Sequence, residues 1–216
     1  MNFLEMVQEL VLMGGITGQG GPSTVTGQTG EYGRAVAFIR QANDEVCGMH
    51  PDWGFLWAHD EQSVADPVID PPSGLETWAV DRLQIDNQPL AVLGWSEFVP
   101  TNAVPTRPYW AIIRPDNRLQ LHPAPDKDYT LSYDYWITPP RLTEDTDVSP
   151  IPQRFHAVVV GRALILLGNY EFAEDLMKQG QELYQLHLES LQQDQLPGRQ
   201  QALSRQEGVG LQVIPQ

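Results

Sequence analysis

Five histidines, one cysteine and a short acidic run are the side chains of this protein that could carry chemistry. His50, His59, His122, His156 and His187 are scattered, and none stands at helical spacing from another histidine as paired zinc ligands would. His156 follows Phe155 at the start of an apolar helical stretch, where a packed or hydrogen-bonded imidazole is expected before a general base. Glu144, Asp145 and Asp147 could be pictured around a cation, but acids just ahead of a helix start read more simply as a solvated turn favoured by the helix dipole. A single cysteine, Cys47, leaves no internal disulfide and no cysteine-based zinc site, and its apolar helical setting marks it as a small core residue. Gly18-Gln-Gly-Gly21 lacks what a phosphate cradle needs: a helix precedes it, Ser23 takes the place of the third glycine and no lysine follows. Paired carboxylates for sugar hydrolysis must face each other across a cleft, a separation no linear sequence displays. The expectation is a chain with no catalytic residue, no metal and no cofactor.

Charge narrows the possibilities further. The 216 residues hold 28 acidic and 13 basic side chains, for a formal charge of −15, and Lys127 and Lys178 are the only lysines. Affinity for nucleic acid rests on cationic patches that release counterions, so the charge argues against a sequence-reading DNA binder; the surface suits a protein to which DNA should not stick. The first residues have no basic region and the apolar run after them is broken by Glu5, Gln8 and Glu9, so neither a signal peptide nor a membrane span is expected, and synthesis in the cytoplasm follows.

The elements that must position these residues are legible in outline. Phe3, Leu4, Val7, Leu10 and Val11 form a helical stripe ended by Gly14-Gly15, and a second helix is predicted from about Glu31 to Gly48 with Val36, Ile39, Ala42 and Val46 buried. Between them the glycine-rich segment 14–30 cannot build a core, and is expected to be held from outside or ordered on assembly. From Trp53 to Ile137 the pattern turns to short β runs, including 83–85, 90–93, 109–114 and 118–122, with Pro115-Asp116-Asn117 as a turn that sets Ile113 opposite Leu119. The six tryptophans, Trp53 to Trp136, are expected to fill this small sheet. Tyr129, Leu131, Tyr133, Tyr135 and Ile137 share one face of a strand that Pro139-Pro140 stops. Pro150-Ile-Pro152 then leads into an almost wholly apolar helix from Gln153 to Leu167. A last helix, about 171–195, carries Phe172, Leu176, Gly180, Leu183, Tyr184, Leu188 and Leu191 along one stripe that must meet a partner. Helices at both ends and strands between them predict an α+β fold, a helical body formed from N- and C-terminal helices with an inserted small antiparallel β-domain. The predicted boundaries are 1–50 and 140–196 for the body, 51–139 for the insert and 197–216 for an extended tail.

The junction Tyr133-Asp-Tyr-Trp-Ile-Thr-Pro-Pro-Arg-Leu-Thr-Glu-Asp-Thr-Asp147, followed by Pro150-Ile-Pro-Gln-Arg-Phe-His156 and the Ala163-Leu164 helix, resembles the head-to-tail adaptor (connector) family of tailed bacteriophages. Phe3-Leu4-Glu5, Gly15-Ile-Thr-Gly18, Thr26-Gly-Gln-Thr-Gly-Glu31 and His50-Pro-Asp-Trp53 resemble it in order and spacing, in the manner of podovirus-type adaptors, over about residues 1–197. The resemblance implies a structural virion protein, not an enzyme, assembled in the host cytoplasm. It implies a ring homo-oligomer, dodecameric in relatives, under the portal protein, extending the DNA channel and docking a tail or nozzle protein. DNA would pass through without sequence-specific binding. Another virion connector, for head closure or tail completion, is the alternative within that class; a cell-wall hydrolase and a DNA-binding module are the alternatives outside it. Leu176, Gly180, Leu183 and Tyr184 are the subunit-contact candidates. Val209, Leu211, Val213 and Ile214 alternate like a strand with nothing nearby to pair with, and are the portal-contact candidates, by strand addition.

Overall fold

The stretches on either side of the middle form one unit and the middle forms another: residues 1–55 with residues 139–196, and residues 56–138. The computed structural model describes residues 1–16, 20–99 and 103–196, so Gly18 and the tail residues Val209, Leu211, Val213 and Ile214 lie outside the described residues. The architecture is α+β, a helical body with an inserted and mainly antiparallel β unit.

In the helical unit α1 spans Phe3–Met13, α2 Gly30–Cys47, α3 Ala157–Glu171 and α4 Glu174–Gln195. The start of α1 leaves no first-turn donor unmet. Asn2 Oδ1 accepts from the Glu5 amide at 2.8 Å while the Glu5 carboxylate accepts from the Asn2 amide at 2.9 Å, a reciprocal capping box. The Phe3 and Leu4 amides donate to the carbonyls of Asp147 and Asp145, at 2.7 and 3.2 Å. Phe3, Met6, Val7, Leu10 and Val11 are buried, and α2 buries Val36, Ile39, Ala42 and Val46 as its periodicity predicts, together with Asn43.

Two expectations fail in this unit. The apolar helix begins at Ala157 after a single 3₁₀ turn at Gln153–Phe155, and it runs through Gly168 to Glu171 instead of stopping at Leu167. Gly168 is a packing residue and not a terminator: a Cβ there would lie 2.8 Å from the Met177 backbone nitrogen. The helix ends instead on Phe172, held in the left-handed region at φ 56°, and this takes Phe172 off the α4 stripe and leaves it 92% exposed.

In the β unit the strands are β1 Trp57–Val64, β2 Val68–Ile69, β3 Leu75–Trp78, β4 Gln84–Ile85, β5 Gln88–Pro89, β6 Ala91–Leu93, β7 Trp110–Ile113, β8 Leu119–His122 and β9 Tyr129–Ile137. One sheet runs β1-β9-β4-β5 with β3 also on β9, the other β2-β8-β7-β6, and among the described residues only β6 with β7 is parallel. Ile113 pairs with Leu119 across the hairpin, whose Asn117 takes φ 62°. Tyr129, Leu131 and Tyr133 face a core of Val64, Ile69, Leu83, Ile85, Leu90, Leu119 and Leu121.

The tryptophans do not fill this sheet. Of them only Trp78 joins the core cluster, Trp57 and Trp95 are 51% and 46% exposed, and the fully buried Trp53 belongs to the helical unit, where its indole donates to the Val46 carbonyl at 3.0 Å. Aliphatic side chains interdigitate between short strands where a rigid indole does not, and the core is mostly Leu, Ile and Val.

Candidate functional site

The acidic turn at 144–147 binds the chain's own backbone. Asp145 Oδ1 accepts from the Val25 amide at 2.6 Å and from Thr24 Oγ1 at 3.0 Å, and Asp147 Oδ2 accepts from the amides of Thr143 and Glu144 and from Thr143 Oγ1. Those backbone donors hold the Asp147 carboxyl below the usual carboxylate range. With the Asp145 and Asp147 carbonyls already capping α1, this one turn fastens the first helix and the glycine-rich segment together, so the expectation of a merely solvated turn is corrected. Gln8 Nε2 donating to the Pro22 carbonyl and Tyr32 Oη donating to the Gly20 carbonyl, both at 2.9 Å, add to the fastening, and Val25 is buried.

Beneath it lies a buried polar row. Ser149 Oγ donates to Asn43 Oδ1 at 2.6 Å and accepts from the Ile151 amide, and His156 Nε2 lies 2.8 Å from the Ile151 carbonyl. That bond makes Nε2 the protonated nitrogen and leaves Nδ1 bare, and burial pushes the His156 pKa below its ordinary value. The residue is the hydrogen-bonded imidazole that its position predicts. Cys47 is buried too, and burial pushes its thiol up to about 12, far from a reactive thiolate.

The β unit holds a pair that sequence reading missed. Antiparallel register sets His59 of β1 opposite Asp134 of β9, and His59 Nδ1 meets Asp134 Oδ1 at 2.7 Å while Nε2 lies 3.7 Å from Glu61. The bond to Asp134 raises the His59 pKa. Seventy-five residues separate the partners, so only the register could reveal them. Trp57 stacks on the imidazole with ring centroids 6.3 Å apart.

The residues predicted to touch a neighbouring subunit lie along one side of α4 and meet α3 of the same chain. A Cβ on Gly180 would come 2.8 Å from the Ile165 nitrogen and 2.9 Å from the Gly161 carbonyl, and one on Gly161 would come 2.8 Å from the Tyr184 nitrogen. Gly161, Gly168 and Gly180 thus form a seam on which α3 and α4 touch backbone to backbone. Leu176, Leu183 and Tyr184 flank it half-buried. Leu183 also lines a mostly apolar groove of about 160 Å³ with Met1, Glu9, Met13, Ala157 and Val160, and Tyr184 Oη donates to Met49 Sδ at 3.3 Å. Arg162 clamps α3 to α2 through Glu45 at 2.5 Å; burial alone would raise the Glu45 pKa, but Arg162 and Gln41 hold it low.

The ionisable groups of the helical unit described above hold backbone, a turn or a neighbouring helix, and His59 and Asp134 join two strands of the β unit. Residues 1–206 match the model of the SU10 adaptor protein family, and the chain belongs to this family of phage head-to-tail adaptors. It is a structural connector of a bacteriophage. No individual curated protein matches it. No helix among the described residues is long and apolar enough to cross a membrane.

Proposed function

We propose that this protein forms a ring, twelvefold and of the podovirus type, beneath the portal protein, extends the DNA channel and offers its far side to a tail or nozzle protein. The observation that carries the reading is the adaptor-family match over residues 1–206 of the 216. Mechanism in such a component is geometry and charge. Twelve copies at −15 each surround the bore with acid, and by screened repulsion even a minority of those groups facing inward keeps passing DNA from sticking. The glycine seam sets α4 hard against α3, and the uncovered parts of Leu176, Leu183 and Tyr184 beside Gly180 serve as subunit contacts. Val209, Leu211, Val213 and Ile214 add a strand to the portal, since backbone pairing gives affinity to an alternating segment at a chain end.

The experiment is electron-microscopic averaging of purified particles down the tail axis, with and without the chain. The expected result is a ring of density directly under the portal that disappears, along with the tail, when the chain is withheld. Density elsewhere, or tails that attach without it, would overturn the reading. Deleting the last ten residues is expected to abolish capsid attachment and leave the helical unit folded; attachment retained would count against the portal strand. The domain limits 1–50, 51–139, 140–196 and 197–216 remain part of this proposal, to be checked by expressing the insert alone.

A further inference from the structure

Phe172 has no reason to be phenylalanine in the isolated chain. It occupies the left-handed position that closes α3, where its amide donates to the Gly168 carbonyl, and glycine or asparagine would close the same turn without the Cβ penalty. At 92% exposure its ring packs against almost nothing. Two residues earlier Tyr170 is 53% exposed, with the Arg34 guanidinium 3.8 Å above its ring and Phe38 at 6.3 Å. An arginine stacked among exposed aromatics is the composition of an interface hot spot. Among the described residues Arg34 has no carboxylate within 4 Å, and its guanidinium meets the Tyr170 ring.

A complementary surface exists on the same chain. On the side of α4 turned away from α3, Glu182, Leu186 and Glu189 follow one another at i, i+4 and i+7, and Leu186 is 67% exposed between the two acids. Their span is about 10 Å along the helix. An apolar centre flanked by carboxylates matches aromatic side chains flanked by a guanidinium in both polarity and sign.

We propose that the Arg34, Tyr170 and Phe172 patch of one copy docks on the Glu182, Leu186 and Glu189 face of α4 in the next. The proposal rests on the adaptor reading and deepens it. Because the two patches differ, the contact is head-to-tail, the kind that closes into a ring when the rotation per copy allows.

The test follows association of the full chain by sedimentation velocity, and its incorporation on portal-bearing capsids. Phe172→Asp and Leu186→Asp alter exposed positions, so each variant keeps the wild-type circular dichroism and weakens copy-to-copy association by about tenfold or more. Mixed in equal amounts, the two variants regain dimers through the one intact pair of patches and form nothing larger. Arg34→Glu weakens association as well, and combining it with Glu182→Arg and Glu189→Arg restores it. Phe172→Gly raises the melting temperature of the separated chain while impairing assembly. Variants that assemble like wild type, or a mixture no better than either variant alone, overturn the proposal and leave the adaptor reading standing. A wild-type chain that neither self-associates nor joins capsids overturns the adaptor reading and this proposal with it.

Discussion

The α3–α4 seam and the β unit solve the same problem of burial by opposite means. In the seam, three glycines bring backbones into contact, and at each a Cβ would come within 2.8 Å of a backbone nitrogen that cannot yield. In the β unit, Leu, Ile and Val side chains from two small sheets interdigitate around Trp78, Tyr129 and Tyr133, and several large aromatics remain outside. One region is intolerant of a single added carbon; the other is intolerant of lost volume. The consequence for an adaptor is a helical part whose shape is set within narrow limits and a β part whose outer residues can vary.

The largest expected effect breaks the β side. Trp78→Ala removes a buried indole whose Nε1 donates to the Asn117 carbonyl at 3.0 Å, and should cost about 3–5 kcal/mol. Trp57→Ala, at a half-exposed position in the same unit, should stay within about 0.5 kcal/mol. Chemical denaturation of both variants measures the contrast, and equal losses would mean that the exposed indole is also structural.

Next in size, Gly161→Ala and Gly180→Ala test the seam through the sign of the change. Helix propensity alone would make each replacement stabilising by about 1 kcal/mol. A Cβ 2.8 Å from backbone nitrogen has no flexible neighbour to displace, so each should instead destabilise by about 1–3 kcal/mol, and the double variant should depart from additivity. A raised melting temperature for either would end the close-packing account.

A smaller effect sharpens the helical side. Asp145→Ala leaves the Val25 amide and Thr24 hydroxyl without their acceptor and should cost about 1–2 kcal/mol, with faster proteolysis within residues 20–29 than elsewhere in the unit. Unchanged cleavage there would show that Gln8 and Tyr32 suffice to hold the segment.

The smallest is a pH dependence. Because burial depresses the His156 pKa in the folded chain, the unfolded chain binds the proton more readily and stability rises with pH. The contribution is complete above the ordinary histidine range and is lost as pH falls from there through the depressed folded value. Melting curves between pH 8 and 5, compared with those of His156→Gln, should show this loss in the wild type and a flatter response in the variant.

Local chemistry was legible wherever the signal is local. The stripe of α1, the alternation of β9, the Asp-Asn turn opposing Ile113 to Leu119 and the packed His156 all follow from neighbours within a few residues. β1 was not legible, because Trp57-Ala-His-Asp-Glu-Gln-Ser-Val64 has neither apolar alternation nor β-rich composition and is a strand only because β9 supplies eight partners. The end of α3 was not legible, because a glycine late in a helix, as at Gly168, has two meanings, an end or a contact, and only the neighbouring helix distinguishes them.

By itself, then, the sequence determined the α+β class, the acidity and the helical ends around a β middle, since composition and short-range periodicity carry these; the likeness to phage adaptors rested on the order and spacing of its motifs. Tertiary structure alone decided which acids hold backbone, that His59 meets Asp134 across 75 residues, that α3 and α4 close on glycine, and that Phe172 is left facing outward. The physical reason is range: hydrophobic period and turn chemistry act over a turn or a strand, whereas register and helix contact depend on residues that the chain brings together only by folding.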